Sequence, residues 1–95
     1  MKQPQSKSLE ELFQAILSLQ TTKECALFFE DICTVKELQA ISQRLDVARM
    51  LLAGKNYQEI SGTTGASTAT ISRVNRCLLY GNGGYASVLK KEQES

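Results

Sequence analysis

Apolar side chains recur at steps of three and four along most of the chain. Leu9, Leu12, Phe13, Ile16 and Leu19 mark one helical face. The stretch "CALFFEDIC" (25–33) is apolar over most of its circumference. Leu38, Ile41, Leu45, Ala48 and Leu52 form a further stripe, and Ala40, Val47 and Leu51 add a second strip beside it. A helix apolar over so wide an arc is buried on more than one side. No segment shows the alternation with period two that a half-buried strand requires.

Polar positions mark where these helices begin. Ser8–Glu11, Thr21–Glu24, Thr34–Glu37 and Asn56–Glu59 all fit the capping-box layout. In it a polar side chain caps the first turn and a glutamate three residues on reaches back. Gly54 ends the third helix, with "GKN" as the turn. A short helix from Tyr57 to about Thr63 stops near Gly65, and Ser67 caps another that runs to Leu79 or Tyr80. "GNGG" (81–84) interrupts it, and "YASVLKKEQES" forms a frayed terminal helix. The pattern predicts an all-α fold of six helices.

Between the fourth and fifth helices lies "GTTGASTATISR" (62–73), with no bulky apolar side chain before Ile71. A helix-turn-helix needs this arrangement. Ile60 buries the first helix, Gly65 makes the tight turn, Ala66 fits an inward corner and Ser67 caps the second helix. Ile71, Val74 and Leu78 then face inward, leaving Thr68, Ala69, Ser72, Arg73 and Arg76 on the opposite face. A helix that enters the major groove must carry small residues at its leading end. Thr68 and Ser72 can hydrogen-bond to base edges, and Ala69 can meet a thymine methyl. Arg73, Arg76 and nearby Lys55 suit phosphates, as does the helix N-terminus at Ser67. The competing reading is a small-residue helix packed closely on another helix, its arginines merely solvated.

Charge supports the first reading through its distribution. The net charge is only +1. Residues 8–46 carry seven carboxylates against three cations, a net −4, whereas residues 47–85 carry four cations against Glu59, a net +3. An anionic partner should meet the second half. At 95 residues the chain is one small domain. A chain of that size buries only about 60–65% of its unfolded surface, which makes a second subunit a natural source of further core. No apolar run reaches the roughly 18–20 residues of a membrane span, and "MKQPQSKS" is no secretory signal, so the expected location is the cytoplasm. Cys25, Cys33 and Cys77 lie among apolar helical neighbours and are expected as buried, reduced thiols.

The segment "LQAISQRLDVARMLLAGKNYQEISGTTGASTATISRVNRCL" resembles the core of the Trp repressor family. With "LLYGNGGY" following, it is most similar to the YerC/YecD-like branch, over roughly residues 33–85. The resemblance implies an intertwined homodimer that places two helix-turn-helix units on a near-palindromic operator in double-stranded DNA, as a transcriptional repressor. It divides residues 1–95 into a flexible N-terminus (1–7), dimerising helices (8–54), the helix-turn-helix (56–80) and a turn with a C-terminal helix (81–95). It also implies an effector pocket formed by Thr34, Arg44, Thr70, Arg73, Val74 and Cys77. Two of these depart from the family's pattern: Val74 stands where Trp repressor has a glycine, and Cys77 where it has a serine. A branched side chain in the indole's space costs about 1–3 kcal/mol or more, so any small-molecule effector is expected to differ from tryptophan. Thr34 is also explained as a helix cap, and Arg44 by an acidic neighbour.

Enzymatic activity is not expected. The chain has no histidine, hence no Ser–His or Cys–His nucleophile pair. It has no CxxC or carboxylate cluster for a metal, and no cofactor motif. The alternative to DNA binding is a helical dimeric protein-interaction module, distinguished by apolar binding that salt barely changes.

Overall fold

The computed structural model describes residues 6–94. Among the described residues lie six helices: α1 (Lys7–Leu17), α2 (Thr22–Ile32), α3 (Val35–Leu52), α4 (Tyr57–Thr64), α5 (Thr68–Tyr80) and α6 (Gly84–Glu94). The expected all-α class and the six elements are both present. Residues 1–5 of the expected flexible terminus, and the reading of "MKQPQSKS" as no signal, lie largely outside the described residues.

The first helix starts earlier than the Ser8–Glu11 pattern predicts. Ser6 is the cap, its hydroxyl accepting from the Leu9 amide at 3.0 Å. Starting there adds two residues to the helix, and the Glu10 amide donates to the Ser6 carbonyl. The extra backbone bond outweighs the reciprocal glutamate contact that Ser8 would have offered. Thr21 caps α2, but the Glu24 carboxylate accepts from the Gln20 amide, one residue before the cap. The boxes at Thr34–Glu37 and Asn56–Glu59 close reciprocally as expected.

The chain forms two compact units, divided within α3 after Leu38. In the first, α1 and α2 contain no buried residue. Their apolar stripes are real, yet Leu17 is 75% and Leu27 58% exposed. Phe28 and Phe29 meet edge to face, with ring centroids 5.3 Å apart.

The second unit, from Gln39 onward, holds the core. Val47 and Ala48 of α3, Ile60 of α4, Ala66 in the turn, Ile71 and Val74 of α5 and Leu89 of α6 are buried together. Leu45, Met50, Leu51, Tyr57, Leu78 and Tyr85 pack around them. Complete burial of one such large side chain stabilises by about 1.5–3 kcal/mol. Helix α3 is terminated by two bonds of a Schellman motif, Gly54 N–H to the Leu51 carbonyl and Lys55 N–H to the Met50 carbonyl. Of its wide apolar arc, Ile41 and Leu52 remain about half exposed (46% and 49%).

The thiols are less buried than expected. Cys25 and Cys33 are half-buried and Cys77 is exposed, all three free. Cys77 lies at the flank of the inward stripe of α5, where a cavity adjoins it rather than a packed helix.

Candidate nucleic-acid interface

The site is built on α4, the turn at Gly65–Ser67 and α5. Asn56 and Glu59 start α4, at 2.8 and 3.2 Å for their two reciprocal bonds. Gly65 ends it with φ +75° and donates to the Ser61 carbonyl. That left-handed conformation is why glycine stands there. Ala66 is buried and brings the chain back against the core. Ser67 then caps α5: its Oγ accepts from the Thr70 amide and donates to the Thr70 hydroxyl, both at 3.1 Å. The Ser67 and Thr70 hydroxyls are thereby occupied with each other.

The leading face of α5 is open. Thr68, Ala69, Arg73 and Arg76 are exposed, and Ser72 is half-buried. Lys55, in the turn before α4, is exposed as well. Among the described residues no carboxylate pairs with Lys55, Arg73 or Arg76. Arg49 differs, although the local charge count includes it. Its guanidinium grips Glu92 of α6 through two bonds of 2.7 and 2.9 Å and Asp46 through one of 2.9 Å. Bonding to Glu92 raises the pKa of Arg49 further and lowers that of Glu92. Of the four cations counted over residues 47–85, Lys55, Arg73 and Arg76 are thus the three open to an external anion.

The residues of the implied effector pocket belong to both units. Thr34 belongs to the first unit and caps α3, its hydroxyl accepting from the Glu37 amide at 3.1 Å. Arg44 is half-buried and has no carboxylate partner among the described residues. Thr70 is tied to Ser67, Arg73 is exposed, and Val74 is only 1% exposed within the core. Cys77 opens into an apolar cavity of about 460 Å³ shared with Leu45, Tyr85, Val88 and the 81–84 strap. Gly81 permits that strap, since a Cβ there would collide with the Cys77 carbonyl. Of the six implied residues, Cys77 alone lines this cavity.

Two residues of the site carry no sequence signal. Gln43 of α3 donates from Nε2 to the Thr64 carbonyl at 3.1 Å. The Thr64 hydroxyl donates to the Ile60 carbonyl at 2.8 Å and accepts from the Ala66 amide at 3.1 Å. A glutamine on a helix and a threonine before a glycine are too common to be singled out by pattern.

The sequence model of the Trp repressor protein matches residues 7–93. The chain belongs to the Trp repressor family. The match runs well beyond residues 33–85, taking in α1, α2 and α6. Within the family the chain is similar to the uncharacterized protein YerC of Bacillus subtilis, 54% identical over 89 residues, covering 94% of this chain and 86% of that one. A solved TrpR-like protein from Eubacterium eligens superposes with a TM-score of 0.91 at 52% identity, over 93% of this chain and 91% of that one. A second solved chain, from Staphylococcus aureus, gives 0.91 at 49% identity, over 94% and 89%. The YerC-like branch of the Trp repressor family is therefore the chain's place, and with it comes the coarse function of a helix-turn-helix, DNA-binding transcriptional regulator. No helix among the described residues is long and apolar enough to cross a membrane.

Proposed function

We propose that this Trp repressor family member is a sequence-specific repressor that acts in the cytoplasm as a homodimer on a near-palindromic operator. The observation that carries the proposal is the open face of α5. It presents small side chains at a stiffly capped N-terminus, with unpaired cations beside them. Thr68, Ala69 and Ser72 read base edges, while Arg73, Arg76, Lys55 and the helix N-terminus at Ser67 hold phosphates. The bare apolar stripes of α1 and α2 supply the dimer contact, since an isolated chain leaves them in water. Any effector is a small molecule other than tryptophan, because Val74 is packed into the core where the family's glycine leaves room for an indole.

The test is selection of random DNA duplexes by the purified protein at two salt concentrations, with the enriched pool sequenced. A recovered near-palindrome supports the proposal. Salt-sensitive binding without enrichment reduces it to nonspecific DNA binding or to dependence on a co-ligand. No binding at either salt favours the protein-interaction module instead.

A further inference from the structure

We propose that Gln43 is a positioning residue for sequence reading: it braces the helix-turn-helix against α3 and so fixes where the N-terminal turn of α5 points. The inference rests on the DNA-reading role of α5 given above.

Thr64 is the last residue of α4, so its carbonyl is one of those a helix end leaves without an intrahelical partner. In the turn that follows, the Gly65 amide already donates to the Ser61 carbonyl and the Ala66 amide to the Thr64 hydroxyl. Gln43 supplies a donor from α3, twenty-one residues away, in a part-buried position. Thr64 then passes the connection on. Its hydroxyl joins the Ile60 carbonyl behind it to the Ala66 amide ahead. The next residue is Ser67, whose side chain holds the first turn of α5 through Thr70. Hydrogen bonds and the short backbone between them therefore link α3 through the turn to the first turn of the reading helix.

The apolar contacts beneath this path cannot do the same work. Ile60, Ala66, Ile71 and Val74 press against Val47 and Ala48, and apolar burial is non-directional. Such an interface holds the helices together while tolerating small slides and rotations. A part-buried hydrogen bond has a preferred distance and angle and resists them. Base reading is the property most sensitive to that difference. Bonds to base edges need side chains held to within roughly 0.5 Å, whereas arginines reach phosphates through long flexible stems. Loss of the brace should therefore impair discrimination while leaving nonspecific attachment in place.

The experiment compares the full-length protein with Gln43→Met, which keeps the length of the side chain and removes its donor. The wild-type protein is first put through selection on random duplexes. Affinities of both proteins are then measured for the enriched operator and for a scrambled duplex, with thermal denaturation alongside. The expected result is an operator affinity about fivefold weaker, on the scale of one hydrogen bond. Scrambled-DNA affinity and its salt dependence should stay unchanged. A purely structural role would lower the melting temperature and leave the operator-to-scrambled ratio as it was; that result overturns the proposal. Thr64→Val serves as the second variant, since it keeps the carbonyl but removes the hydroxyl link to Ala66. It should lower the same ratio even if Gln43→Met does not fold, and a normal ratio there also overturns the proposal. If the wild-type protein enriches no sequence, DNA reading itself has failed, and that failure is visible before any variant is compared.

Discussion

Arg73 and Arg76 follow Thr68 and Ala69 by one and two helical turns, so a single short helix would carry both of the proposed kinds of contact. Arg73 is exposed and has no carboxylate partner among the described residues, so its replacement by alanine should not disturb the fold. Arg73→Ala is expected to weaken binding to every duplex by a similar factor. It should also flatten the salt dependence by about 0.9 log units per log unit of salt, the signature of one lost phosphate contact. Binding titrations over a salt series check this; a loss confined to the operator would mean that Arg73 reads bases. Gly65 makes a different prediction. A Cβ at that position meets nothing within 4 Å, so only its φ of +75° opposes a side chain. Gly65→Ala should therefore cost about 1–2 kcal/mol, the left-handed strain alone, in chemical denaturation. A cost near zero would show that the turn relaxes.

At the scale of elements, α4 and α5 are held by their caps and by the core, whereas α6 depends partly on charge. Leu89 is its one buried residue, and the two-bond contact between Arg49 and Glu92 is the polar fastening to α3. The guanidinium keeps the Glu92 carboxyl below its ordinary value, chiefly through their hydrogen bonds. A carboxylate with a lowered folded-state pKa contributes stability that is complete above its unfolded-state pKa. That contribution is lost as the pH falls through the lowered folded value. Glu92→Gln should therefore loosen α6 at neutral pH by a small amount, as befits an exposed pair. The difference from wild type should vanish below the ordinary carboxylate range. Hydrogen exchange of the α6 amides at neutral and acid pH measures both; a difference that persists in acid would assign the effect to packing.

Across the whole chain, burial is uneven. Among the described residues all the buried ones lie in the second unit, and the first leaves Leu17, Leu27, Ile32 and Val35 more than half exposed. Exposed large apolar side chains in such number mark an association surface. Sedimentation should give twice the chain mass, and Leu17→Glu with Leu27→Glu should shift the protein toward monomer and lower its melting temperature. A monomer in the wild-type protein would remove the homodimer from the proposal. Operator binding should weaken with dissociation, because two half-sites need two reading helices.

The sequence by itself determined the elements. Apolar spacing marked the longer helices, and local chemistry marked the ends of the others: Asn56 with Glu59, Gly65 and Ser67 each act over three or four residues, within reach of pattern. It misled at Ser8, because a capping box was present but an earlier cap at Ser6 offered an extra backbone bond. The open face of α5 was also legible, since helical period places Thr68, Ala69, Ser72, Arg73 and Arg76 opposite Ile71 and Val74. What tertiary structure decided is which of these groups are already engaged. Arg49 counts as a free cation in the sequence and is taken by Glu92, 43 residues away. Cys77 reads as core and opens into a cavity. Gln43 and Thr64 read as ordinary polar residues and meet at the back of the turn. Each depends on a contact between separate helices, and periodicity along one helix carries no information about what its neighbour brings.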